Sequence, residues 1–263
     1  MKRVAIVTGA SSGIGRETAK ALAAARITVY DFSRRHHPLE GVTHLATDVT
    51  DPEAVRVSVS EVFKREGQID ILVNNAGFGI SGAVEFTDLQ NVKHLFDVNV
   101  FGQIAVTNEV LPIMRLQRQG RIVNISSVAA ICPIPFQTFY SATKSAVMTY
   151  SMALANEVMP FGVRVSAVLP GDIRSGFTDA RAKSVKGDDV YQGKISRSVG
   201  RMEKDERKGL SSEAAGKAIA HIALSKRNKP VYVLGFGYRC ISLLVKILPT
   251  SIVNWLIKLL YAN

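Results

Sequence analysis

In the stretch "FYSATKS", residues 139–145, Lys144 follows Tyr140 by four positions. Residues i and i+4 share one face of an α-helix, so a phenol and an ammonium at this spacing can act on each other. A free tyrosine ionises near pH 10 and is a poor base at neutral pH. A neighbouring positive charge favours the phenolate and lowers that value, and proton transfer works best when the pKa approaches the working pH. Tyr140 and Lys144 are therefore candidates for moving a proton to or from a carbonyl or alcohol oxygen. Lysine suits its position because it is a compact charge with rotatable donors. Thirteen residues before Tyr140, at the end of the run "RIVNIS", Ser127 offers a hydroxyl to the same oxygen, with Ser126 as the rival.

Such a group needs a scaffold and a partner. The scaffold is legible as short β-branched runs alternating with longer helical-period segments. Strands are expected at Val4–Thr8, Thr28–Ser33, Thr43–Thr47, Ile69–Asn74, Arg121–Ser126, Arg164–Leu169 and Pro230–Leu234. A helix is expected from Gly13 to Ala25, another from Tyr140 to Val158, and a third over Phe101–Gln117. Seven strands linked this way predict an α/β, Rossmann-type doubly wound parallel sheet with helices on both faces, in a single domain spanning residues 1–263.

The partner is suggested by "TGASSGIG", Thr8 to Gly15, which joins the first strand to the first helix. Its glycines let the chain turn tightly and approach a ligand closely. The helix that begins there presents unpaired N–H groups and the positive end of its dipole, a seat for a pyrophosphate.

The spacing TGxxxGxG resembles that of the short-chain dehydrogenase/reductase family, in its shorter branch, and further matches follow in family order over residues 3 to 235. These are "TDVTD", "NNAG", "DVNVFG", "NISS", "YSATK" and "LPGDIRS". The resemblance implies a nicotinamide-dependent oxidoreductase with Ser127, Tyr140 and Lys144 as catalytic residues. Asn99 would hold a water that connects Lys144 to a proton relay. Cofactor contacts are implied at Thr8, Gly9, Ser11, Ser12, Gly13, Ile14 and Gly15. Asp48 and Val49 would lie on the adenine side, with Asn75, Ala76 and Gly77 along the strand end. Tyr140, Lys144, Pro170, Gly171, Ile173 and Ser175 would complete the nicotinamide side. The family's cofactor-selecting acidic position falls at Ser33, followed by Arg34 and Arg35. That points to NADP(H) rather than NAD(H), although a shift of two residues would make Asp31 the selecting acid.

Composition bounds the rest. The 263 residues are 47% hydrophobic and 21% charged, a globular balance. Cys132 and Cys240 show neither a disulfide framework nor metal-ligand spacing, so a reducing, cytoplasmic setting and no metal are expected. Cys132 reads as a small apolar group facing the substrate cleft, and His36 and His37 as solvated surface. The chain opens on a strand rather than a signal peptide. Net charge is +11, from 33 basic and 22 acidic residues, but it is scattered and no nucleic-acid motif accompanies it.

Two segments depart from the regular alternation. Residues 172–209 are polar and glycine-punctuated, which predicts a substrate-binding lid loop. Residues 236–263 are an apolar extension interrupted by Lys246, Pro249 and Lys258. It predicts an amphipathic element packed on the substrate site, on a partner subunit or peripherally on a membrane. With the apolar wall "VAAICPIPFQTF", it points to a hydrophobic small-molecule substrate, and the family resemblance implies a homodimer or homotetramer with Phe101–Gln117 as a dimer face. Its tail resembles those of 17β-hydroxysteroid and retinol dehydrogenases, implying a steroid, retinoid or other lipid. Reduction of a 3-oxoacyl thioester on a carrier protein is the alternative. A non-catalytic NADP-sensing or scaffold protein is the alternative of another class.

Overall fold

The computed structural model describes residues 2–262. Short Val- and Ile-rich runs form β1 (Val4–Thr8), β2 (Thr28–Ser33), β3 (Val42–Ala46), β4 (Ile71–Asn74), β5 (Gly120–Ile125), β6 (Val163–Pro170) and β7 (Val231–Leu234). They pair in parallel in the order β7-β6-β5-β4-β1-β2-β3. This is the doubly wound sheet expected from the sequence, with strand limits displaced by a residue or two.

Parallel neighbours require crossovers, and helices supply them. They are α1 (Gly13–Ala24), α2 (Pro52–Glu66), α3 (Leu89–Phe96), α4 (Gly102–Leu116), α5 (Thr138–Val158), α6 (Lys194–Lys208) and α7 (Ser212–Leu224). Side chains alternate across each strand, so β1 sends Ala5 and Val7 to one face and Val4 and Ile6 to the other. Leu22 of α1 and Ile219 of α7 pack with the first pair; Val59 of α2, Val110 of α4 and Leu154 of α5 pack with the second. Strand order reverses between β1 and β4, which opens a crevice at their carboxyl ends.

Local signals set the boundaries. Asp51 caps α2 by accepting from the N–H groups of Glu53 and Ala54, Pro52 occupies the first turn, and Gly67 ends the helix at φ 71°. The helix expected from Phe101 starts at Gly102, because a wide π-turn over Asp97–Phe101 precedes it.

The lid is corrected from loop to helix. Residues 194–208 form α6, whose Ile195, Val199 and Met202 recur at helical spacing and pack with Ala83 and Phe136. Its many charges occupy the other faces and mask that stripe in the composition. Short strand pairs, Ile80–Ser81 with Ala182–Lys183 and Ile173–Arg174 with Leu210–Ser211, fasten the segment at both ends. The apolar extension forms α8 (Phe236–Ile247) and α9 (Thr250–Tyr261). Pro249, which has no N–H to continue a helix, separates them.

Candidate active site

α5 carries Tyr140 and Lys144 one turn apart, both buried, with Nζ of Lys144 5.7 Å from the centre of the Tyr140 ring. Lys144 Nζ also donates to the carbonyl of Ile125 at the end of β5, at 3.0 Å. The next two residues of that strand end have separate tasks. Ser126 turns into α5 and donates to the Lys144 carbonyl at 2.6 Å. Ser127 turns into the cleft, its Oγ accepting the Ala129 N–H at 3.1 Å. Both serines border the cavity, and they differ in that the Ser126 hydroxyl is already spent on the Lys144 carbonyl.

The electrostatics correct one expectation. Burial pushes the Tyr140 hydroxyl up to about 12, against the smaller opposing effects of Ser127 and Arg181. Burial likewise takes Lys144 down to about 8. A buried phenol avoids the charged form, and a buried ammonium does too. At neutral pH Tyr140 holds its proton and is a donor.

Asn99 sits in the π-turn with its side chain fully engaged. Its Nδ2 donates to the Phe78 carbonyl and to Thr143, and its Oδ1 accepts the Phe78 N–H. The side chain therefore locks the chain after β4 to α5, and does not line the cleft.

A cavity of about 740 Å³ runs along the carboxyl ends of the strands. Gly9, Ser11, Ser12, Gly13 and Ile14 line it, as do Ser33, Arg34, Arg35, Asp48, Val49, Asn75, Ala76 and Gly77. Pro170, Gly171, Ile173 and Ser175 line it on the far side, together with Cys132. Thr8 and Gly15 stand behind this surface. Thr8 Oγ1 accepts the N–H groups of Asn75 and Ala76, tying β1 to the turn after β4. A Cβ on Gly15 would fall 2.4 Å from the Gly9 carbonyl oxygen, so that glycine serves close packing rather than ligand contact.

The donor set fits a dinucleotide phosphate. Ser12 begins α1 without a side-chain cap, and no acid stands in its first turn. The helix N–H groups are thus left for an anion. Asp31 is buried and consumed locally: Oδ1 accepts the Ala10 N–H at 2.9 Å, and Oδ2 accepts the Ser33 hydroxyl at 2.7 Å beside His44. It stays out of the cavity lining, whereas Arg34 and Arg35 are exposed within it. No carboxylate forms an ion pair with either arginine among the described residues. His36 and His37 are exposed, and no group of three metal-ligating side chains occurs among the described residues.

Several cleft residues escape sequence reasoning. Phe177 stands 5.8 Å from the Tyr140 ring. Arg181 is buried behind it, paired with Glu206 of α6, which also accepts from Thr178 at 2.7 Å. With its amide turned over, the buried Gln137 side chain would accept from Arg181 Nε at 3.1 Å. Asp172 accepts from the Tyr238 hydroxyl, and burial raises its carboxyl above the usual range. Only the position of Asp172, directly after the Pro170–Gly171 step, carried a local signal. The outer wall is apolar, built by Ile241, Leu244 and Val245 of α8, Leu248 just after it, and Val253, Leu256, Ile257 and Leu260 of α9.

Comparisons with known proteins identify the family and the fold. Residues 3–186 match the family model described as short chain dehydrogenase. A 3-ketodihydrosphingosine reductase of Bacteroides thetaiotaomicron is 41% identical over 231 residues, 87% of this chain and 86% of that one. A short-chain dehydrogenase from Streptomyces avermitilis superposes with TM-score 0.84 at 32% identity, covering 97% of this chain and 96% of the other. The structure of ElxO with NADP bound superposes with TM-score 0.77 at 26% identity, covering 91% and 100%.

Proposed function

The chain belongs to the short-chain dehydrogenase/reductase family, and from that membership we propose that it reduces a long-chain lipid ketone with NADPH. It is an oxidoreductase acting on alcohol and ketone groups. The observation that carries the finer reading is the continuity of the cleft. It runs from the Tyr140 hydroxyl directly into a channel walled by the inner faces of α8 and α9. An alkyl chain there exchanges water for apolar surface, at about 25 cal/mol per Å² buried.

The polar exceptions in the wall refine the substrate. Asp172 and Glu206 both face the cavity. Arg181 neutralises Glu206, while Asp172 has only the Tyr238 hydroxyl as a partner. A ketone with an amine or hydroxyl beside the carbonyl complements such a wall, and 3-ketodihydrosphingosine has that chemistry on a long chain. NADPH is favoured by Arg34 and Arg35 in the cleft and by the burial of Asp31.

In the reaction, the reduced nicotinamide supplies a hydride to the carbonyl carbon when bound. Ser127 donates a hydrogen bond to the carbonyl oxygen and holds it against Tyr140. Tyr140 gives that oxygen its proton, and the Lys144 ammonium offsets the charge left on the phenolate. The raised Tyr140 pKa suits this direction, because the acid form is the one present at neutral pH.

The test is NADPH consumption with 3-ketodihydrosphingosine, ketosteroids, retinal and a 3-oxoacyl thioester. Turnover of the sphingoid ketone is expected. Turnover of the thioester alone would establish the carrier-protein alternative, and tight NADPH binding without any turnover would establish a sensor.

A further inference from the structure

The outside of the α8–α9 hairpin is as apolar as its inside. Phe236, Leu243 and Ile247 recur at spacings of seven and four along α8, and Ile252, Trp255 and Leu259 at spacings of three and four along α9. All six are exposed: Phe236 by 83%, Ile247 by 79% and Trp255 by 57% of their surface. None of the six lines the cavity. Leu244, Leu256 and Leu260 do both, standing in the cavity wall and open to solvent, so they form a rim between the channel and the outer face. A monomer surface seldom leaves so many large apolar side chains exposed on two consecutive helices without a partner.

The charge pattern identifies that partner. The last acidic residue before the hairpin is Glu213. The two helices themselves carry Arg239, Lys246 and Lys258 and no acid. A second copy docked by two-fold symmetry on this face would bring these like charges together, with no acid on either helix to pair them. An anionic lipid surface complements both the apolar stripe and its basic flank. Each helix is 12 residues long, and no described helix is long and apolar enough to cross a membrane. The fitting geometry is therefore one in which the hairpin lies in the interface.

We infer that the α8–α9 hairpin docks the protein on anionic bilayers and opens its channel toward the acyl chains, through the rim of Leu244, Leu256 and Leu260. The purpose, delivery of a lipid ketone without passage through water, rests on the function proposed above. The docking itself does not.

The experiment mixes the full chain with vesicles of phosphatidylcholine, with and without phosphatidylglycerol, in the absence of substrate. Trp255 is the single tryptophan of the sequence and lies in the stripe, so its emission reports insertion directly. The expected result is flotation with the anionic vesicles, weakened by salt, with a blue shift of Trp255 and its quenching by brominated acyl chains. The triple variant Leu243→Ser, Ile247→Ser, Leu259→Ser should bind at least tenfold more weakly. Lys246→Gln with Lys258→Gln should weaken binding to anionic vesicles and reduce its salt dependence. Both variants should keep the wild-type melting temperature and NADPH affinity.

An unshifted, unquenched Trp255 in the wild type would overturn the docking surface without any variant. So would a dimer that the triple variant dissolves in the absence of lipid, since a second copy would then cover the stripe. Binding is read without turnover, so failure on ketones leaves the docking intact, and failure on vesicles leaves the oxidoreductase reading intact.

Discussion

The Tyr238 hydroxyl donates to the Asp172 carboxylate, joining the first turn of the hairpin to the chain that leaves β6. The contact is tight, since a Cβ on the adjacent Gly171 would fall 2.0 Å from the Tyr238 ring. Two segments 66 residues apart in sequence thus close one side of the cleft.

Tyr238→Phe leaves that carboxylate half-buried without its donor, at a cost of about 1–3 kcal/mol. The Asp172 pKa is raised by burial and held back by the tyrosine, so the variant raises it further. A carboxyl raised in the folded state favours folding when protonated and loses that contribution as pH rises. The melting-temperature deficit of Tyr238→Phe should therefore be smaller in acid than at neutral pH, as thermal unfolding at the two pH values will show. A deficit independent of pH would remove Asp172 from the account.

Ser126 and Ser127 are adjacent and should behave oppositely. Ser127→Ala removes a hydrogen bond to the reacting oxygen and should lower kcat roughly 10²-fold or more with little change in stability. Ser126→Ala loses a buried hydroxyl bonded to α5, so it should lower stability by about 1 kcal/mol and change kcat far less. Steady-state kinetics and denaturant melts on both variants decide this.

Tyr140→Phe should cost roughly 10²–10⁴-fold in kcat, the span of general acid catalysis, while NADPH affinity is kept. With the Tyr140 hydroxyl up at about 12 and Lys144 down at about 8, the free enzyme loses the ammonium first as pH rises. The profile of kcat/KM for NADPH should be flat through neutrality and fall above about pH 8, and a fall only above pH 10 would reassign that limb.

Arg34→Ala should raise KM for NADPH by tenfold or more, equivalent to about 1.4 kcal/mol, and leave KM for NADH nearly unchanged. Equal effects on the two cofactors would count against a 2′-phosphate contact at Arg34.

The parts of the site readable from sequence are those whose geometry is local. The four-residue step from Tyr140 to Lys144 needs only a helix, and the glycine loop needs only a strand before it and a helix after it. Short β-branched runs located seven strands, and the helical apolar period located three of the helices, for the same reason. The stripe of Ile195, Val199 and Met202 was also local, but the charges around it hid it in the composition of the lid.

The fold alone decided whatever depends on direction and burial. It turned Ser126 inward and Ser127 outward, used Asp31 to pin the glycine loop, and spent the Asn99 side chain on Phe78 and Thr143. It brought Glu206 of α6 to Arg181 and Tyr238 of α8 to Asp172, pairings with no trace in sequence spacing. It also pushes the Tyr140 hydroxyl upward, because a pKa follows the dielectric around the group, and that depends on every element packed over it.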